Sequence, residues 1–218
     1  MELKEMRRLV LNPATSASIL EEIFEKNRQE THAHAIWVGL AIHPRTPEVL
    51  REAVFPHLFW RDLLKVLSSP TVPERPKQRV TQLLQRRMER AATGEWKAFA
   101  RACAPRLFPW VMKKDQPGLF GILLENPRMT ETALVKLINS PAMTPEFSIQ
   151  IADNRLWQNR RSVRKALVYS KKSDLTTALV SLKGLTKPEL KEVVGTFTLH
   201  PLILMSAKAL IKEKGGQK

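Results

Sequence analysis

The sequence predicts an all-α fold assembled from helix pairs that recur about every 30 residues. Three observations predict it. Proline-containing punctuation returns at regular intervals, the segments between carry helical apolar stripes, and strand alternation of comparable length is missing. The 218 residues include only eight glycines and no Asn-Gly or Asp-Gly pair, so hairpin turns have little to start from.

The punctuation consists of an apolar residue, a short polar turn with proline, then Thr or Ser and a new stripe. It reads Leu11-Asn12-Pro13-Ala14-Thr15, Ile42-His43-Pro44-Arg45-Thr46-Pro47 and Leu67-Ser68-Ser69-Pro70. It returns as Leu124-Glu125-Asn126-Pro127, as Ile138-Asn139-Ser140-Pro141 running on to Thr144-Pro145, and as Leu199-His200-Pro201. Tyr169 to Ser173 is a degenerate copy with Lys171 in the proline place. Proline ends the preceding helix and holds the residue before it out of the α region. A following hydroxyl can accept free N–H groups of the next first turn. Pro47, Pro145 and Pro188 then stand where no helical N–H is needed, and Glu48, Glu146 and Glu189 face a helix dipole that favours them.

In chain order, helices are expected to begin near Thr15 and Thr46, the first carrying the stripe Ile19, Leu20, Ile23 and Phe24. A longer helix is expected from about Arg75 to Ala92, followed by a proline-broken stretch from Pro105 to Pro117. Further starts fall near Thr130, Thr144, Ser173 and Thr186, with Leu134, Leu137 and Ile138 as the stripe of the first of these. Thr46 and Thr144 read as N-caps, each worth about 1 kcal/mol. Pro13 and Pro44, Pro141 and Lys171, and Lys171 and Pro201 each stand about 30 residues apart, enough for two short helices and their turns. Residues 1–211 therefore read as a single helical-repeat array of about seven helix pairs. Its register is irregular over residues 70–123, and residues 212–218 form a basic tail expected to fray.

The proline–threonine–proline helix starts and the recurring period resemble bacterial HEAT-like and variant leucine-rich helical repeats. The resemblance covers residues 9–68 and 124–211 and is poor over 70–123. It implies a right-handed α–α superhelix, an α-solenoid, whose surface binds a partner; it carries no activity with it.

Charge is the second informative feature. The net +15 is uneven: residues 51–114 sum to +9 and residues 155–172 to +7, whereas 1–50 sum to −1 and 115–154 to −3. On the helix from 75 to 92, Arg75, Arg79, Arg86 and Arg90 fall on one side, with Val80, Leu84, Met88 and Ala91 opposite. The second cluster is Arg155, Arg160, Arg161, Arg164, Lys165, Lys171 and Lys172, with no acid inside it. Arg160 with Arg164, and Arg161 with Lys165, are like-charge pairs at i,i+4. Acids brought in from another repeat would neutralise such a cluster; left bare, it would attract a polyanion. DNA or RNA phosphates and an acidic protein surface fit equally.

No chemistry of another kind stands out. The single cysteine, Cys103, excludes an internal disulfide and fits a reducing, cytoplasmic setting. No apolar run is long enough to span a membrane, and no signal peptide, phosphate-binding loop or nucleophile elbow is present. His32 and His34 lie two apart, on nearly opposite sides of a helix, so no metal site is expected, nor any cofactor. Trp60, Trp96, Trp110 and Trp157 lie near the basic stretches and read as packing residues that could alternatively stack on bases. The rival to a non-catalytic scaffold is a HEAT-like-repeat DNA glycosylase acting on alkylated bases. For it, Trp60 with Asp62 and Asp153 with Trp157 offer tryptophan–carboxylate pairs, neither in that family's arrangement.

Overall fold

The computed structural model describes residues 2–28, 34–114, 116, 118–196 and 198–216. Among these residues there are fifteen α-helices and no strand. The chain divides into two compact units, Met1–Ala104 and Pro105–Lys218, whose boundary falls inside the irregular stretch. The first holds α1 (Leu3–Leu11), α2 (Ala17–Asn27), α3 (His34–Ile42), α4 (Glu48–Val54), α5 (Trp60–Ser68), α6 (Glu74–Glu89) and α7 (Thr93–Ala102). The second holds the short α8 (Phe108–Val111), then α9 (Leu119–Leu124), α10 (Glu131–Ile138), α11 (Pro145–Asp153), α12 (Arg161–Tyr169), α13 (Leu175–Lys183), α14 (Lys187–Val194) and α15 (Pro201–Gly216).

Most helices pack on the next but one as well as on a neighbour. In the first unit α1, α3, α5 and α7 adjoin in succession and α4 lies on α6. In the second, α9, α11, α13 and α15 adjoin in succession and α10 lies on α12. The predicted stripes supply the core: Leu20 and Ile23 on α2, Val80, Leu84 and Met88 on α6, and Leu134, Leu137 and Ile138 on α10 are buried. Each such side chain contributes about 1.5–3 kcal/mol on leaving water. Where α1 crosses α3 the backbones come close: a Cβ at Gly39 would stand 2.6 Å from Val10 Cγ2, which reserves that position for glycine.

The turns show why the chain repeats its punctuation. In eight of them the side chain of the opening residue accepts the N–H two residues on: Asn12, His43, Ser69, Asn126, Ser140, Asn154, Ser170 and His200. In seven, the opening carbonyl also accepts the N–H of the fourth residue, as in Thr15 N to Asn12 O at 3.0 Å and Met129 N to Asn126 O at 2.8 Å. Except at His200, whose next residue already begins α15, these are β-turns whose second position favours proline, with Arg155 and Lys171 standing there in two copies. The copy opening at Asn154, with Arg155 for proline, carries no proline signal in the sequence and is found only in the fold.

This geometry corrects the predicted caps. In six turns the N-cap lies four residues after the opener: Ser16, Pro47, Pro73, Thr130, Thr144 and Asp174. Thr144 caps as expected, Phe147 N donating to its Oγ1 at 3.3 Å; helices also begin at the expected Thr130, which accepts from Ala133 N at 3.1 Å, and at Thr186, whose N–H and hydroxyl donate to Glu189. Thr46, the other expected cap, does not cap, and neither do Thr15 and Ser173, although a helix begins two residues after each of the three. They close the β-turn one position earlier, and Thr15 and Thr46 are buried there. Thr15 Oγ1 instead donates to Leu9 O at 2.7 Å, and the buried hydroxyls of Thr46 and Ser173 meet no partner among the described residues. Two segments also extend beyond expectation. The N-terminal residues form α1, and α15 continues to Gly216, into the stretch expected to fray, where Lys214 Nζ donates to Leu185 O at 2.7 Å.

Hydrogen bonds also link residues 29 to 33 apart in sequence. His43 Nε2 donates to Asn12 O at 2.9 Å, Arg45 to Ala14 O at 2.7 Å, Lys172 to Pro141 O at 2.6 Å and Trp157 Nε1 to Leu124 O at 3.0 Å. Thr71 donates likewise to Ile42 O, and Ser170 to Ile138 O. Each bond joins a turn or helix end to another about 30 residues earlier in the chain.

The cap correction yields a stability test. Thr144→Ala should cost on the order of 1 kcal/mol in urea unfolding. Thr46→Val removes a buried, unpaired hydroxyl at nearly constant shape and should leave stability unchanged or raise it by about 1 kcal/mol. A loss at Thr46→Val as large as that at Thr144→Ala would contradict the turn assignment.

Candidate polyanion-binding surfaces

The α6 arginines project from a helix whose other side is core. Arg75, Arg79, Arg86 and Arg90 are all exposed, with Gln78 and Gln82 among them. Two of the four are not bare. Arg75 Nε lies 3.4 Å from Glu48 Oε1 and Arg79 Nε 3.9 Å from Glu52 Oε2, both acids on α4. One helix, α5, separates α4 from α6 in the chain, so acids 27 residues upstream meet the arginines side by side. Pairs this exposed stabilise by at most about 1 kcal/mol and remain open to competition from a stronger anion. Arg86 and Arg90 have no carboxylate partner among the described residues. With Arg87 and Glu89 they line a shallow recess at the end of α6.

Arg87 is not singled out by the sequence. Its guanidinium turns away from solvent to donate to Leu58 O and Pro56 O, and burial lowers its pKa. Arg51, likewise unforeseen, is 2% exposed and donates to His43 O at 2.8 Å, Thr46 O at 3.1 Å and Thr71 O at 3.5 Å. Desolvation lowers its pKa against the raising effect of Glu48. Both arginines commit their charge to backbone carbonyls at the ends of short helices. Arg87 stands 29 and 31 residues beyond its acceptors, whereas Arg51 reaches carbonyls 5 and 8 residues before it, so no single sequence spacing marks both.

In the second unit the cluster from 155 to 172 is also divided by folding. Arg161 Nε donates to Glu189 Oε1 at 2.6 Å, and Lys165 Nζ to Glu192 Oε2 at 2.5 Å. Both acids lie on α14, and the Glu192 hydrogen bond raises the Lys165 pKa. Burial pushes the Glu189 carboxyl up, but hydrogen bonds from Arg161 and from the Thr186 N–H and hydroxyl outweigh it and hold it down at about 2. Arg164 donates to Gln158 O at 2.7 Å and Asn159 Oδ1 at 2.6 Å, and Lys172 is held by Pro141 O. Arg155, Arg160 and Lys171 are exposed and have no such partner among the described residues.

Of the eleven predicted residues, four are thus paired with carboxylates and two with carbonyl oxygens. Arg86 and Arg90 in the first unit, and Arg155, Arg160 and Lys171 in the second, keep their charge for solvent.

Three of the tryptophans pack against described neighbours, and one of the two carboxylates tethers helices. Trp96 is buried, and Trp157 is buried with its indole N–H on Leu124 O. Trp60 meets Phe99 edge to face, and the Arg61 guanidinium lies 5.2 Å from its ring centre. Asp62 is buried and accepts from His34 Nε2 and Lys65 Nζ, each at 2.8 Å, tying α3 to α5. Asp153 is exposed at the end of α11. His32 lies outside the described residues. Cys103 is buried and its thiol faces Ala100 O at 3.6 Å. Among the described residues no three His, Cys, Asp or Glu side chains gather as a metal site, and no helix is long and apolar enough to cross a membrane.

No protein-family model, curated protein or solved structure matches this chain.

Glu189 gives a pH test. Its folded pKa lies below the ordinary carboxylate value, so its contribution is full above about pH 5 and disappears as pH falls through about 2. Glu189→Gln should lower the melting temperature at pH 7 and flatten its decline between about pH 5 and pH 2. Parallel curves for the two proteins would show that the Arg161–Glu189 pair does not form.

Proposed function

We propose that the chain is a non-catalytic helical-repeat scaffold, HEAT-like in the manner of an α-solenoid, that binds nucleic acid through its phosphates. The repeat reading rests on the turn geometry and on hydrogen bonds joining residues about one repeat apart. The binding reading rests on one observation: five basic side chains stay exposed and unpaired among the described residues after carboxylates and carbonyls have engaged their neighbours. Unpaired surface cations release counterions when they meet phosphates, which gives affinity with little dependence on base sequence. Arg75 and Arg79, whose carboxylate pairs are exposed, add to the α6 surface when an anion displaces Glu48 and Glu52. A reducing, cytoplasmic setting accords with the single buried thiol.

The test is a salt titration of binding to single-stranded DNA, double-stranded DNA and RNA. Affinity should fall steeply with salt, and each double reversal, Arg86→Glu with Arg90→Glu or Arg155→Glu with Arg160→Glu, should reduce the salt slope by about 1 for each phosphate no longer engaged. Lys4→Glu with Arg8→Glu, an equal charge change on α1, should matter less. Absence of binding to all three at low salt would remove the nucleic-acid reading and point to an acidic protein surface as the partner.

A further inference from the structure

The turns opening at Ser170 and His200 enclose a cleft of about 330 Å3 in the second unit. Its walls are apolar: Val168 and Ala178 are buried, Leu199 and Ile203 nearly so, and Leu175 is half-buried. The volume is at the lower end of small-molecule sites, which typically begin at about 300 Å3 and combine apolar walls with a few polar groups.

The polar groups lining it are biased toward donors. Ser173 Oγ is buried and has no hydrogen-bond partner among the described residues, an arrangement that costs about 1–3 kcal/mol unless something fills it. His200 Nδ1 accepts from Leu202 N at 3.2 Å, which leaves the ring proton of the neutral imidazole on Nε2. Lys171 lines the same cleft with its ammonium uncommitted. Ser170 is already engaged, with Lys172 N and with Ile138 O. No carboxylate lines the space, and the nearby Asp174 is occupied as the cap of α13, accepting from Thr177 N at 2.9 Å. With Thr198, whose exposed hydroxyl also lines the space, Ser173, Lys171 and His200 present donors that engage no acceptor among the described residues, and donors at an apolar cleft call for an anionic head on an apolar body.

We propose that this cleft binds a small amphipathic anion, a carboxylate or phosphate monoester with an apolar tail or ring. The head accepts from Ser173, Lys171 and His200, and the body lies against Val168, Leu175, Ala178 and Ile203. The site is independent of the nucleic-acid reading, although Lys171 belongs to both surfaces.

The test is an amide-resolved NMR titration of the full chain with octanoate, with phenyl phosphate and with neutral 1-octanol. Either anion should perturb residues 168–178 and 198–203, and octanol should bind at least tenfold more weakly; the preferred anion identifies the head group. Ala178→Met, which fills the cleft, should abolish binding. Ser173→Ala should weaken it several-fold while raising the melting temperature, since the unpaired hydroxyl is removed. Arg86→Glu with Arg90→Glu should leave it unchanged, so failure here and failure of nucleic-acid binding are read separately. No perturbation by either anion at millimolar concentration, equal binding of octanol, or undiminished binding by Ala178→Met with a native spectrum would each overturn the proposal.

Discussion

A side-chain acceptor at the first position of each β-turn is the constraint on which the rest of the structure depends. Most of the helices are eleven residues or shorter, too short to persist alone in water. Each must be delivered to its neighbour at a defined angle, and the turn does this locally. The opener, as at Asn126 or Ser140, accepts the N–H two residues on, and a proline or basic residue follows it. The opening carbonyl then takes the fourth N–H, the fourth residue is buried in most copies, and the cap follows immediately. His43 shows how economical the device is. Its Nδ1 accepts from Arg45 N within its own turn, and its Nε2 donates to Asn12 O in the turn before. One imidazole both forms a turn and ties it to another.

The basic composition has a structural side for the same reason. Short helices end often, and every end leaves carbonyls without helical partners. Arg51 and Arg87 bind those of the first unit, Lys172 and Lys214 those of the second. The guanidinium suits this role because its several donors lie in a fixed plane, so Arg51 reaches two turns at once. A positive excess in such a chain is partly absorbed by backbone dipoles, and formal charge overstates the field available to a ligand. What remains for recognition is the smaller set that neither carbonyls nor carboxylates claim.

The ion pairs follow the same period. Glu48 with Arg75, Glu52 with Arg79, Lys165 with Glu192 and Arg161 with Glu189 each stand 27 or 28 residues apart in sequence. Cations that stand as uncompensated like-charge neighbours along one helix are neutralised across to the next-but-one helix. Repulsion within α12 is therefore no sign of a ligand at Arg161 or Lys165. It remains unrelieved by charge at Arg160, the N-cap of α12, whose partner at i+4, Arg164, is held by Gln158 and Asn159.

The helical class, the buried stripes of α2, α6 and α10, the helix starts at Thr130 and Thr186 and the cap at Thr144 were legible in the sequence. Proline chemistry, apolar periodicity and capping act over a few residues, so a linear reading contains their causes. The offset of four between opener and cap was also present in the sequence, but it is recognised only when the turn's own hydrogen bonds assign Thr15, Thr46 and Ser173 to the turn and not to the helix. The turn at Asn154 was hidden for a related reason, because arginine satisfies the backbone there as proline does elsewhere. Tertiary structure alone decided which cations stay bare. Arg75 and Arg86 are alike in sequence and both exposed, yet one lies 3.4 Å from Glu48 and the other makes no ion pair with a described acid. That difference depends on which helix packs alongside, a separation of nearly a full repeat along the chain and a few ångströms in space.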